Sequence, residues 1–313
     1  MKKPLIIIVG PTAVGKTETS IEIARELNCE IISADSMQIY KGMDIGSAKP
    51  TMEERQGIPH FLMDEIDPRE NYSVSDFQKS AKKYIDEIIS RGKIPMIVGG
   101  TGLYVNSIIY NIDFSSTSQN KELREKLEAE AREFGNEYVH NKLKEVDDKA
   151  AKRIHANNLK RVIRALEVYY ESGDKIKEFK SNLVPNEEYD YCLIGLIRDR
   201  EELYNRINER VDILMEMGLV DEVKKLMKLD LDVDNISMKG LGYKEIIKYL
   251  KGEYTLQKAV DILKRDTRRY AKRQITWFKR YDQMQWFDIN KYDGKEDLKE
   301  DIVKYIEGKL ELM

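Results

Sequence analysis

Lys16 and Thr17 stand directly behind Gly15 in the run Gly10-Pro11-Thr12-Ala13-Val14-Gly15-Lys16-Thr17. The spacing G-x-x-x-x-G-K-[ST] is that of a phosphate-binding loop. Gly10 and Gly15 permit a tight turn and close backbone approach, so that main-chain N–H groups and the following helix N-terminus cradle phosphate oxygens. Lys16 supplies a point charge to the terminal phosphates, and the Thr17 hydroxyl is the usual ligand to Mg²⁺.

Three further groups could do chemistry beside such a loop. Asp35, in Ser33-Ala34-Asp35-Ser36-Met37-Gln38, falls just past an apolar run. That is the carboxyl edge of a strand, where open α/β sheets bind ligands. A carboxylate there serves as a metal ligand or general base, or caps the turn that follows. Gln38 offers amide donors and acceptors to the edge of a base. Gly99-Gly100-Thr101-Gly102 repeats the strand–glycine–helix pattern and adds a hydroxyl at Thr101, although such a turn serves close packing as readily as binding. Arg206 and Arg210 share a helix face, and one of them could clamp phosphates from opposite the loop. The apolar run Ile94–Val98 ends in glycines, where a nucleotide hydrolase carries an Asp for Mg²⁺ and water. The loop is therefore expected to hold a diphosphate leaving group rather than to drive hydrolysis.

Charge points to a polyanion. The net charge is −3, yet Lys264–Arg280 holds eight basic residues and one acidic residue, interleaved with Tyr270, Trp277 and Phe278. Cations contact phosphates, and aromatics stack on bases or pack into the core. On a helix, Arg269 and Arg273 share one face. Lys160, Arg161 and Arg164 make a second basic group.

Certain elements must position these residues. Leu5–Val9, Glu30–Ser33, Ile94–Val98 and Tyr191–Ile197 read as buried parallel strands, with helices over Glu18–Leu27 and Ser75–Ser90 between the first three. The expected fold class is α/β: a P-loop NTPase-like core, its parallel sheet flanked by helices, plus an inserted all-helical module. The polar run Ser115–Asn120 reads as a linker, and helical patterns follow over 120–134, 136–145, 147–154 and 157–171. Residues 1–114 and 186–313 are thus expected to form the core and 115–185 the insertion. Further helices are expected over 200–217, 219–228, 242–250 and 255–279.

A chain of 313 residues, 41% hydrophobic and 35% charged, can bury a full core, and its apolar runs are far short of a membrane span. No membrane partner is expected. Cys29 and Cys192 provide no disulfide framework and suit a reducing cytosol. His60, His140 and His155 show no ligand spacing.

The segments GPTAVGKT, SADSMQIYKGMDIGSAKP, IPHFLMDEIDP and VGGTGLY closely resemble the tRNA dimethylallyltransferase family, as do NLKRVIRALEV, RINERVDILMEMGLVDEV, GLGYKEI and TRRYAKRQITWFKR downstream. The resemblance runs through nearly the whole chain. It implies transfer of a dimethylallyl group from dimethylallyl diphosphate to N6 of the adenosine 3′-adjacent to the anticodon, in tRNAs reading U-starting codons, with Mg²⁺. It implies that Gly10–Thr17 bind the diphosphate, that Asp35 is the general base, that Thr101 contacts the reacting centre or the diphosphate, and that Arg210 neutralises the leaving group. Asp35, Ser36, Met37 and Gln38, with Thr101 and Lys160, Arg161, Val162, Ile163 and Arg164, would touch the tRNA, and Arg269 and Arg273 would extend that track. The helical insertion would grip the anticodon stem-loop. Many relatives carry a His where this chain has Phe61 and a Gln where it has Lys160. The expected enzyme is cytoplasmic and monomeric. The competing readings are a P-loop kinase of small molecules or nucleotides, an adenylate isopentenyltransferase acting on free nucleotides, and an RNA-binding protein with a vestigial loop.

Overall fold

The computed structural model describes residues 2–112, 114, 120–173 and 183–311. It divides into two compact units, Met1–Ile109 with Asn186–Met313, and Tyr110–Pro185. Among the described residues the first unit holds one sheet. Its strands are β1 (Lys3–Val9), β2 (Cys29–Ala34), β3 (His60–Phe61), β4 (Ile94–Gly99), β5 (Tyr189–Ile197) and β6 (Gln285–Asp288). Their order is β3-β2-β4-β1-β5-β6, and every neighbouring pair is parallel.

Leu5–Val9 are wholly buried, as a strand covered on both faces requires, and that is why β1 is apolar without alternation. Ile6 and Ile8 share one cluster with Ile21 and Ala24 of α1 (Lys16–Glu26) and with Ile302 and Ile306 of α12 (Lys295–Leu310). Each such isoleucine taken from water contributes about 1.5–3 kcal/mol. On the chain between β2 and β4, α2 (Val74–Ser90) starts from a complete capping box, in which Ser73 and Asp76 satisfy each other's backbone N–H. It packs against β2, β4 and α3 (Gly102–Ile109).

Because all the strands run the same way, their carboxyl ends share one edge. Val9 pairs with both Gly99 and Gly195, and Ala34 pairs with Gly99. The segments that follow β1, β2 and β4 are therefore neighbours. After β5 come α8 (Arg200–Glu216), α9 (Leu219–Met227), α10 (Tyr243–Leu250) and α11 (Leu256–Phe278).

The second unit is helical: α4 (Lys121–Phe134), α5 (Asn136–Val146), α6 (Asp148–Arg153) and α7 (Leu159–Ser172). Its core includes Leu127, Val139, Leu143, Val162, Ile163 and Leu166. The linker expected over Ser115–Asn120 lies outside the described residues except for Asn120, which caps α4 by accepting from the Leu123 N–H. At the unit's ends, Tyr110 bridges Pro185 in antiparallel fashion, and the Asn111 N–H donates to the Val184 carbonyl at 2.8 Å. No helix among the described residues is long and apolar enough to cross a membrane.

Candidate active site

The loop between β1 and α1 is held from outside by cations on its carbonyls. The Lys16 ammonium donates to the carbonyls of Gly10 at 3.0 Å and Pro11 at 2.8 Å. Arg206 Nε donates to Ala13 O at 3.0 Å, and Arg198 Nε to Val14 O at 2.9 Å. Gly15 has φ +117°, a conformation that costs a residue with a Cβ far more, and Ala13 is itself left-handed at φ +65°. The peptide whose carbonyl, Val14 O, faces Arg198 turns the Gly15 N–H the other way, whereas the Val14 N–H donates to Pro11 O at 3.4 Å. The amides of the first turn of α1, which lack helical partners, join the Gly15 N–H as donors to an anion. Arg206 and Arg210, one turn apart on α8, thus take different parts: Arg206 fixes the loop, and Arg210 reaches Ala48 O at 3.4 Å.

Asp35 follows β2 at the same edge. Its Oδ1 accepts from the Met37 N–H at 2.9 Å, so the local turn uses one oxygen of the carboxylate. The Asp35 charge acts on Lys16, Arg210 and Tyr270 alike, which sets all three around it. Thr101 ties the next loop in. Its N–H donates to Ala34 O at 3.1 Å, and its hydroxyl oxygen accepts from the Ser36 N–H at 3.2 Å and bonds the Tyr270 hydroxyl.

Gln274 of α11 then bridges the two glycine loops. It is only 6% exposed. Its Oε1 accepts from the Thr12 N–H at 2.9 Å while its Nε2 donates to Gly100 O at 3.0 Å. A Cβ on Gly100 would lie 2.1 Å from that Nε2, so only glycine admits the bridge. Burial pushes the Tyr270 hydroxyl up, with the Asp35 charge adding to the effect and the Thr101 bond opposing it, so Tyr270 stays a proton donor at neutral pH.

Burial and, less strongly, the Arg210 cation bring the Lys16 ammonium down to about 7, with Asp35 working against both. Burial likewise pulls the Arg210 guanidinium down, with Asp35 and Glu54 restoring part of its basicity. Two cations held near each other and only partly offset by Asp35 make a site that gains by receiving a further anion. A bound diphosphate raises the Lys16 pKa. Above about pH 7 binding then takes up a proton, and affinity falls by up to about tenfold per pH unit as pH rises. Titration calorimetry of a diphosphate ester from pH 6 to 9, in buffers of different ionisation enthalpy, measures that uptake. A Lys16→Arg variant, which does not titrate there, shows the slope due to the ligand alone. Equal slopes in the two proteins would contradict the prediction.

The remaining candidates divide by burial. Ser36, Met37 and Gln38 are half-buried beside Asp35, and Gln38 Oε1 accepts from the Ser33 hydroxyl at 2.9 Å. In the helical unit, Val162 (0% exposed) and Ile163 (4%) point into its core and are unable to touch a partner. This corrects the run 160–164, because one helical turn presents only part of itself to solvent. Lys160 and Arg161 are exposed. Arg164 is half-buried, its Nη1 engaged with the buried Glu167 at 2.5 Å. Along α11, Arg265, Arg269, Lys272 and Arg273 are exposed, opposite the buried Ala259, Leu263, Ala271 and Gln274. Arg273 lies 5.7 Å over the Tyr270 ring, and Arg269 pairs with Asp266 at 3.3 Å.

No group of three or more His, Cys, Asp or Glu side chains suited to a metal occurs among the described residues. The exposed Thr17 hydroxyl at the start of α1 fits a cation that arrives with its phosphates and keeps its waters, as Mg²⁺ does.

Residues 38–281 match a protein-family model described as IPP transferase. The chain is 61% identical over 308 residues to a tRNA dimethylallyltransferase of Alkaliphilus oremlandii, covering 98% of each chain. It is 58% identical over 311 residues to one of Clostridioides difficile, covering 99% of this chain and all of that one. Among solved structures it resembles the tRNA isopentenylpyrophosphate transferase of Bacillus halodurans, with TM-score 0.76, 47% identity, and 99% and 97% of the two chains covered. It also resembles a eukaryotic dimethylallyltransferase described as acting on tRNA, with TM-score 0.81, 30% identity, and 95% and 77% covered.

Proposed function

Since the chain belongs to the IPP transferase family, we infer that it is a tRNA dimethylallyltransferase, which moves a dimethylallyl group from dimethylallyl diphosphate to an adenosine of tRNA. The bond from the allylic carbon to the diphosphate oxygen breaks. A bond from that carbon to adenine N6 forms, and N6 loses a proton. We propose that the target is the adenosine 3′-adjacent to the anticodon in tRNAs reading U-starting codons.

The observation that carries the mechanism is the placement of Asp35 after β2 and Lys16 after β1 at one sheet edge, where the Asp35 charge acts on both Lys16 and Arg210. An allylic diphosphate ionises when its leaving group is stabilised. The amides of Gly10–Thr17, the Lys16 ammonium and the Arg210 guanidinium supply that stabilisation. The adenine amine is a poor nucleophile because its lone pair is delocalised into the ring, so it must be held close and in line. Asp35 Oδ2 takes the N6 proton, since Oδ1 is engaged by the Met37 N–H. Thr101, held between the Ser36 amide and Tyr270, faces the reacting centre. Mg²⁺ on the Thr17 hydroxyl would add charge neutralisation at the diphosphate.

The base has to leave its stack to reach such an edge, and backbone affinity offsets that cost. Lys160, Arg161 and Arg164 of the helical unit and Arg269 and Arg273 of α11 are proposed to provide it. The enzyme is proposed to act as a monomer, in the cytoplasm.

Incubating the protein with labelled dimethylallyl diphosphate, an unmodified tRNA, AMP and ATP tests the reading. Label is expected on tRNA. Label on AMP but not on tRNA would identify an adenylate isopentenyltransferase, and phosphate transfer from ATP a kinase.

A further inference from the structure

Glu222 of α9 is 7% exposed and belongs to none of the groups described above. Its two carboxyl oxygens accept four hydrogen bonds. Oε2 accepts from the N–H of Asp44 at 2.9 Å and of Ile45 at 2.7 Å, and Oε1 from the N–H of Gly46 at 2.9 Å and the Tyr243 hydroxyl at 2.9 Å. Three successive amides converging on one buried carboxyl group fix a backbone as firmly as a strand ladder does, in a segment that has neither helix nor strand. Tyr243, wholly buried at the start of α10, closes the arrangement. A Cβ on Gly46 would lie 2.5 Å from its ring, so the segment is pressed flat against the tyrosine. Burial and the Glu222 charge hold the Tyr243 hydroxyl far above neutrality, which keeps it a donor.

The segment so held reaches the active site. Its next carbonyls, Ser47 O and Ala48 O, each accept from Gln38 Nε2 at 3.4 Å, and Ala48 O also accepts from Arg210 Nη2 at 3.4 Å. Lys49 fastens its far end to Tyr40 O, Asp44 and Asp64. The phosphate loop is held separately, by Arg198, Arg206 and Gln274.

We propose that Glu222 is a positioning residue for prenyl transfer: by fixing the backbone of Asp44–Ala48 it sets the Gln38 amide and the Arg210 guanidinium, without touching either substrate. This rests on the transferase reading given above. Glu222→Gln keeps the size of the side chain but turns one acceptor into a donor that faces N–H groups, so at least one of the three amides loses its acceptor.

In the full chain, at a temperature well below unfolding, Glu222→Gln is expected to lower kcat on tRNA by fivefold or more. The Kd for dimethylallyl diphosphate should stay within threefold of the parent's, and the amides of residues 44–46 should lose hydrogen-exchange protection. A smaller fall in kcat overturns the inference. So does a Kd that rises as far as kcat falls, since that would mean general loosening. If Glu222→Gln fails to fold, Tyr243→Phe, which removes one of the four bonds, is expected to lower kcat two- to threefold with the same unchanged Kd, and an unaltered kcat overturns the inference. A parent protein that leaves tRNA unprenylated would instead sink the transferase reading itself.

Discussion

Asp35→Asn is expected to lower the single-turnover rate of prenyl transfer by about 10²–10⁴-fold, the range lost with a general base, while tRNA binding changes little. The substitution separates the two uses of the side chain. Asparagine keeps an oxygen that accepts from the Met37 N–H, so the turn after β2 persists. What it loses is the basic second oxygen. Asp35→Ala loses both, and its additional deficit relative to Asp35→Asn measures what the turn contributes. Quenched-flow transfer with enzyme in excess over labelled donor gives the rate, and filter binding gives the tRNA affinity. Full single-turnover activity in Asp35→Asn would remove Asp35 from the role of base. A large loss of tRNA affinity without loss of rate at saturation would make it a binding residue only.

Arg210→Gln carries the second large effect, a loss of about 10²–10³-fold in the transfer step, comparable to removing one preorganised electrostatic group from other active sites. It has a signature that Asp35 variants lack. The Arg210 cation is one reason that Lys16 sits near pKa 7. Without it Lys16 becomes easier to protonate, and the pH at which diphosphate affinity begins to fall moves upward. The variant should thus bind the diphosphate better at pH 8, relative to pH 6, than the parent does, while turning it over far more slowly. Arg210→Lys restores a charge but not the planar fork that also reaches Ala48 O, and an intermediate rate is expected. A rate within threefold of the parent in Arg210→Gln would show that the leaving group is neutralised elsewhere.

The sequence reveals those parts of the molecule whose signal is local. β1, β2, β4 and β5 are short stretches centred on Ile, Leu and Val and buried over most of their length, and their spans agree with the reading to within a few residues. The phosphate loop is legible because its chemistry lies in eight consecutive positions. β3 has two residues and β6 has four, both at the sheet's edges, where pairing comes from tertiary neighbours rather than from pattern. α12 is not among the expected helices, although Leu298, Ile302 and Ile306 give it a buried stripe, a periodicity present in the sequence. Val162 and Ile163 are the opposite case: the resemblance implies a contact along all of 160–164, but the 3.6-residue period sends its two apolar positions inward. Gln274 could be given a helix face, but its bond to Thr12 spans 262 residues and has no local mark. The same holds for Glu222 under Asp44–Gly46.

The paired ends of the helical unit bear on how the sheet closes. β5 must find β1 across the whole of Tyr110–Pro185. With that segment unfolded, the loop to be closed is long, and its entropy cost exceeds that of a short connection by about 2–3 kcal/mol. The Tyr110–Pro185 bridge and the Asn111–Val184 hydrogen bond act as a clasp that shortens the effective loop to a few residues. Disorder in the helices therefore taxes the sheet through chain statistics alone, without altering a single contact within it.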